Sequence, residues 1–251
     1  MRLKDRVAIV TGASSGIGRE IAMQYAKEGA KVIAVARRLE RLQELVRDAE
    51  GLLGEIIAVR GDVSSLEDIK NMHQKALDAY GRVDILVNNA GILDEFAPVA
   101  DVSDEMWEKI MKVNLNGPFY AIREVIPTML KQEKGCIINV SSIGGLCGYK
   151  AGAAYTSSKH GLEGLSKNTA FYYGNKNIRC NSICPGGVQT EITQNGTFHE
   201  EGYKRAMSGT SNCMGTGMPD QIANIAVFLA SDESSLVNGV AITADGGWTA
   251  Y

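Results

Sequence analysis

Short apolar runs alternate with longer amphipathic stretches along the whole 251-residue chain. RVAIVT, KVIAVA, EIIAVR, DILVNN, CIINVSS, IRCNSIC and VAITADGG each predict a strand. Several are apolar without alternation, as in strands covered on both faces. The segments between them carry helical spacing. Ile222, Ile225, Ala226 and Leu229 fall at i, i+3, i+4 and i+7 ahead of the polar stop SDESS. SLEDIKNMHQKALDAYG predicts a helix capped by Ser65, with Asp68 three residues on and Gly81 as its stop. Strand–helix–strand repetition without a Pro-, Ser- or Gly-rich linker predicts one α/β domain over 1–251. Its architecture would be a doubly wound parallel sheet with right-handed crossovers and helices on both faces. Residues 190–218 break the rhythm with a polar segment carrying scattered Met, Phe and Tyr, a candidate lid.

Composition narrows the class. At 45% hydrophobic and 22% charged the chain is ordinary for a globular protein. A net charge of −3 offers no basic field to nucleic acid or an anionic membrane. No apolar run reaches membrane-spanning length, and none precedes the first strand, so the expectation is a cytoplasmic protein without a signal peptide. The five cysteines (Cys136, Cys147, Cys180, Cys184, Cys213) are odd in number and lack a CxxC, which argues against a disulfide framework or a zinc site. Cys180 and Cys184 read as small apolar strand residues. His73, His160 and His199 show no metal spacing. His73 is expected on a helix surface; His199 lies in the candidate lid, where contact with a substrate is the minor reading. The acidic residues are expected to be solvated on helices, with Glu191 beside Thr190 the one of interest.

Two features point to chemistry. Gly12, Gly16 and Gly18 in VAIVTGASSGIGREIA lie between the first strand and a helix, where close backbone approach and free helix-start N–H groups suit a diphosphate. The spacing is GxxxGxG rather than GxGxxG. At the end of the second strand, where NAD-binding folds carry an acid for the ribose 2′-OH, this chain has Ala36, Arg37 and Arg38. Guanidinium groups there favour a 2′-phosphate and hence NADP(H), with NAD(H) the alternative. The second feature is Tyr155 and Lys159 in AAYTSSKHG. Residues four apart share a helix face, so the pair taken alone reads first as ordinary helix surface, and otherwise as a tyrosine whose high pKa a nearby ammonium would lower. His160 would point about 100° away from Lys159.

TGASSGIG at 11–18, NNAG at 88–91, VNLNGPF at 113–119, INVSS at 138–142, YTSSK at 155–159, PGGVQT at 185–190 and DGG at 245–247 occur in order over essentially the whole chain. Together they resemble the short-chain dehydrogenase/reductase family. The resemblance implies a Rossmann-like fold, a nicotinamide cofactor and hydride exchange between an alcohol and a ketone. It implies Tyr155 as acid/base, Lys159 as its partner, Ser142 as holder of the substrate oxygen and Asn114 as the fourth member of a proton relay. Asn114 otherwise reads as a local kink ahead of Gly117 and Pro118. The resemblance also implies a cofactor site of Thr11, Gly12, Ser14, Ser15, Gly16, Ile17 and Gly18 at the diphosphate, with Arg37 and Arg38 beyond it. Asp62 and Val63 would flank the adenine, Asn88, Ala90 and Gly91 the ribose, and Pro185, Gly186, Val188 and Thr190 the nicotinamide end, with Tyr155 and Lys159 touching the cofactor as well.

Leu146, Cys147, Tyr149, Phe198, Met207, Cys213 and Met214 read equally as core or interface residues or as a pocket for a bulky apolar alcohol such as a hydroxysteroid or bile acid. A 3-oxoacyl reductase, on carrier protein or CoA, and a sugar or polyol dehydrogenase are the alternatives. Glu133, between Lys131 and Lys134, would repel an acidic carrier protein. A non-catalytic NADP(H)-binding regulator is the alternative outside enzymes, and retention of all four catalytic positions speaks against it. The resemblance implies a homotetramer or homodimer, in which Tyr172 and Tyr173 would pack at an interface, and Trp248 and Tyr251 across one or near a neighbouring site.

Overall fold

In a computed structural model describing residues 1–193, 198–208 and 215–250, all seven predicted strands form. They are β1 (Val7–Thr11), β2 (Lys31–Ala36), β3 (Glu55–Arg60), β4 (Ile85–Asn88), β5 (Gly135–Val140), β6 (Ile178–Pro185) and β7 (Ala241–Ala244). They build one sheet in the order β3-β2-β1-β4-β5-β6-β7, and every pairing is parallel. This is the Rossmann-type doubly wound fold expected. Strand alternation explains the two layers. Ala8 and Val10 face one core with α1 (Gly16–Lys27), α2 (Leu39–Asp48) and α8 (Pro219–Ala230). Val7 and Ile9 face the other, with α3 (Leu66–Tyr80), α5 (Gly117–Lys131) and α6 (Ala153–Tyr173). Chain direction across the sheet reverses between β1 and β4, and in such sheets ligands bind at the carboxyl edge of that switch point.

Helix limits follow the sequence signals. Ser65 Oγ accepts from the Asp68 amide, and Gly81 ends α3 in the left-handed region at φ +72. The segment around Asn114 divides into α4 (Asp104–Met111), a π-helical turn at Lys112–Asn116, and α5. Between α6 and α8, residues 190–218 contain a 3-10 turn (Glu191–Thr193) and α7 (Glu200–Met207), whose N-terminus is capped by His199 Nδ1 accepting from the Gly202 amide. Cys213, Met214, Tyr251 and parts of the candidate lid lie outside the described residues. No helix among the described residues is long and apolar enough to cross a membrane.

Two expectations about polar residues change. His73 is buried, not on the surface: α3 packs against α5, and the imidazole contacts Glu124 at 3.3 Å and Thr128 at 3.0 Å. It lies one turn from buried Ile69, on the packed face. Asp84, Asp94 and Glu163 are buried acids, because backbone amides or neighbouring donors replace their water; Asp84, for example, accepts from the Val7 amide and from Arg82. Trp248 is covered within its own chain, with the Lys150 ammonium 3.4 Å from its ring. Phe171 and Tyr172 are exposed on α6, while Tyr173 packs against the second core. Cys180 and Cys184 are fully buried on β6.

Candidate active site

The motif residues collect along the carboxyl edge of the sheet. The β1–α1 turn is locked by Thr11, whose hydroxyl donates to Val87 O and accepts from the Asn89 and Ala90 amides. Asn89 Nδ2 donates to Thr11 O at 2.9 Å. Gly12 has φ +68, and a Cβ there would stand 2.7 Å from Asn89 Nδ2 and 2.8 Å from Ala90 Cα. Gly18 is pressed against Asn89 and the Gly12 carbonyl. Gly16, at φ +54, opens α1 under the Thr190 side chain. The N-cap of α1, Ser15, makes no side-chain cap, and the first turn holds no acid. Among the described residues no side chain caps that helix start, so the residues fit a diphosphate.

Arg38, at the β2 carboxyl end, reaches back over this turn. Its guanidinium donates to Ser14 Oγ (3.3 and 3.1 Å), Ser15 Oγ (2.8 Å) and Glu191 (3.0 Å). Arg37 is exposed beside Asp62. Burial opposes ionisation of Asp62, but bonds from Ser64 and the charges of Arg37 and Lys112 hold its carboxyl below the usual range. Val63 lies against Gly117. Asn88 turns its amide into the sheet, donating to Asn139 at 2.9 Å. Ile17 packs on the first core, Gly186 is pressed on Asp245, and Val188 bridges to Gly217.

The other four motif positions meet at the β5–α6 junction. Ser142 follows β5, accepts from the Gly144 amide at 3.0 Å, and shares the surroundings of Gly144 with Tyr155: a Cβ on that glycine would stand 3.4 Å from Ser142 Oγ and 3.5 Å from Tyr155 Cε1. Tyr155 and Lys159 share the buried face of α6. Burial pushes the phenol up to about 12, with the neighbouring Ser142 hydroxyl offsetting part of this and the nearby Asp94 carboxylate adding to it. Burial likewise pushes the Lys159 ammonium down to about 8. Its Nζ donates to Val140 O at 2.9 Å and stands 5.6 Å from the Tyr155 ring centroid. The expected lowering of the tyrosine by the lysine does not prevail: desolvation is the largest influence on each group, raising the phenol and lowering the ammonium.

Asn114, fully buried in the π turn, accepts from the Ile92 amide and donates to Ile92 O, both at 2.9 Å, and reaches Ser158 Oγ at 3.3 Å. Gly91 sits between Asn114 and Lys159: a Cβ there would be 3.5 Å from Asn114 Oδ1 and 3.7 Å from Lys159 Nζ. The kink and the site position are therefore one feature.

Asp94 escaped sequence reasoning. Its buried carboxylate accepts from the amides of Phe96 (3.0 Å), Gly152 (3.0 Å) and Tyr155 (2.9 Å). It substitutes for the cap that Gly152, the N-cap of α6, has no side chain to supply. That glycine was the available signal. Glu163 was also missed: it is buried one turn beyond Lys159 and accepts from Cys184 Sγ at 3.5 Å. Of the substrate-side residues, Leu146 and Tyr149 are exposed beyond Ser142, and Phe198 stacks on Tyr203 with Phe96 edge-on to both. His199, beyond capping α7, stands 3.4 Å from Asp101.

A glycine turn shaped for a diphosphate and a Ser142–Tyr155–Lys159 cluster thus lie along one sheet edge. The short chain dehydrogenase family profile matches residues 6–201. The chain is 40% identical over 251 residues to 3beta-hydroxysteroid dehydrogenase 2 of Eggerthella lenta, covering 99% of this chain and 96% of that protein. It is 40% identical over 248 residues to 3-oxoacyl-[acyl-carrier-protein] reductase of Thermotoga maritima, covering 98% and 99%. A solved structure of a candidate NAD(P)-dependent gluconate 5-dehydrogenase from Beutenbergia cavernae, with NADP at low occupancy, superposes with a TM-score of 0.88 at 35% identity, covering 99% of this chain and 98% of that one. The chain belongs to the short-chain dehydrogenase/reductase family and is an oxidoreductase acting on CH–OH groups.

Proposed function

We propose that the protein interconverts a secondary alcohol and a ketone with NADP(H), its substrate a bulky apolar molecule such as a hydroxysteroid or bile acid. The observation that carries the catalytic assignment is Tyr155, buried one helical turn from Lys159 on α6 and beside Ser142 at the end of β5. The nicotinamide, when bound, supplies or takes the hydride. Tyr155, held protonated by burial, donates its phenolic proton to the substrate oxygen during reduction. Ser142 holds the same oxygen without adding charge. Lys159 lies behind the phenol as a buried ammonium and Asn114 fixes the Ile92 segment beside it. Thr11 through Gly18 would hold the diphosphate, Asp62 and Val63 the adenine, Asn88, Ala90 and Gly91 the ribose, and Pro185, Gly186, Val188 and Thr190 the nicotinamide end.

Arg37 and Arg38 beside the diphosphate turn, with no acid at the end of β2, support a 2′-phosphate and so NADP(H) over NAD(H). The hydroxysteroid dehydrogenase likeness and the exposed Leu146 and Tyr149 support the apolar substrate. The equally close 3-oxoacyl reductase supports a second reading. Against it, Glu133 stands in the turn before β5, and the neighbouring Lys134 is already paired with Asp232 at 2.8 Å. The deciding experiment follows reduced-nicotinamide absorbance with a 3-ketosteroid, a 3-oxoacyl thioester and a polyol, comparing wild type with Tyr155→Phe. Turnover of the ketosteroid, lost by at least about 100-fold in the variant, is expected. Turnover of the polyol alone rejects the substrate class, and an unimpaired Tyr155→Phe rejects the acid/base.

A further inference from the structure

Two arginines of α2 and its N-cap converge on one carboxylate. Glu191 Oε2 accepts from Arg38 Nη1 at 3.0 Å, and Oε1 from Arg41 Nη1 at 2.7 Å. The same Arg38 spends its remaining nitrogens on Ser14 and Ser15, the polar residues of the diphosphate turn. Glu191 therefore lies at the far end of a chain that runs from the phosphate turn through a guanidinium. Its neighbour Thr190 covers Gly16 at the start of α1.

From this we infer that Glu191 is an internal anion occupying the 2′-phosphate subsite, and that Arg41 is a second ligand of that phosphate. The inference rests on the NADP(H) reading above and deepens it. A 2′-phosphate carries close to two negative charges and needs the planar donor fork of an arginine. All three nitrogens of the Arg38 guanidinium are engaged here. The serine hydroxyls can rotate and donate to a phosphate themselves. A carboxylate can only accept, and it repels an incoming phosphate, so Glu191 is the partner that must leave. Leaving is easy. Its side chain and those of both arginines are substantially exposed, so the pairs are weak. A cleft of about 310 Å³ bordered by Gly16, Arg19, Gln189 and Thr190 opens beside Glu191. Glu191 thus sets how strongly the protein prefers a 2′-phosphorylated nucleotide, without touching the reacting atoms.

The test is calorimetric binding of adenosine 2′,5′-bisphosphate and of 5′-AMP, which needs no turnover. Glu191→Gln is expected to bind the bisphosphate about three- to tenfold more tightly than wild type, with 5′-AMP unchanged. Arg41→Gln is expected to weaken the bisphosphate alone by a similar factor. An unchanged or weaker bisphosphate affinity in Glu191→Gln overturns the inference, as does an equal gain for both nucleotides. If wild type prefers the bisphosphate and Glu191→Gln gains nothing, the inference fails and the NADP(H) reading stands. If wild type shows no preference but Glu191→Gln acquires one, the native preference fails and the masking role of Glu191 stands.

Discussion

Replacing Asp94 by Asn separates two effects that act in opposite directions. The wild-type carboxylate accepts three amides, two on Oδ1 (Phe96 and Gly152) and one on Oδ2 (Tyr155). An asparagine keeps its oxygen best at the doubly bonded site, which turns its NH₂ toward the Tyr155 amide. One charge-assisted bond is lost and two donors face each other in a site that is 3% exposed. Loss of a hydrogen bond to a charged group and a buried unsatisfied donor each cost about 1–3 kcal/mol. Removing the buried charge returns part of this through its own desolvation. The net destabilisation is about 2–3 kcal/mol, a fall in Tm of roughly 4–12 °C for a chain of this size. Meanwhile the Asp94 charge is one of the influences holding the Tyr155 phenol up, so its removal makes the phenol more acidic.

Two assays on the same variant read these effects. Differential scanning calorimetry gives the loss of stability. The pH profile of kcat/KM in the reductive direction gives the phenol, whose deprotonation limb moves to lower pH. Asp94 acts through Tyr155, so a purely structural cap would lower Tm and leave the limb in place. A Tm loss below about 2 °C would refute the capping energetics, since the worked minimum is twice that. An unmoved limb would refute the electrostatic coupling.

Two further changes test the rest of the site. Lys159→Met should abolish turnover yet raise stability at pH 7. The folded lysine is lowered from 10.5 to about 8, so the folded state binds fewer protons than the unfolded chain between those values, and wild-type stability rises with pH across that window. The variant's advantage, roughly 2 kcal/mol at pH 7 after the lost Val140 bond, should therefore close by pH 10; thermal unfolding at both pH values measures it, and an unchanging gap defeats the argument. Gly18→Ala forces a methyl into Asn89 and the Gly12 carbonyl, costing about 1–3 kcal/mol and weakening NADPH binding at least tenfold in a fluorescence titration; wild-type affinity would show that the turn does not cradle the nucleotide.

The strands and the glycine turn were legible because each is a local demand of the chain. A parallel strand needs a continuous apolar run, and a backbone at φ +68 needs glycine, so Val7–Thr11 and Gly12 announce themselves. The Tyr155–Lys159 spacing was legible for the same reason, since i and i+4 is helix geometry. Its electrostatics were not legible. Spacing brings an ammonium near a phenol, but their charge states depend on burial, and burial comes from β5, β6 and the loop before α4. His73, Asp84, Asp94 and Glu163 escaped by the same gap: each is an ionisable residue whose water is replaced by groups distant in sequence, 58 residues away for Asp94 and Gly152. Where a helix begins on a glycine that cannot cap it, as α6 does at Gly152, the missing acceptor has to come from elsewhere. A cap borrowed from a distant loop also brings a charge. Here that charge lies beside the one tyrosine on which the proposed proton transfer depends, so one carboxylate both caps α6 and adds to what burial does to the acidity of Tyr155.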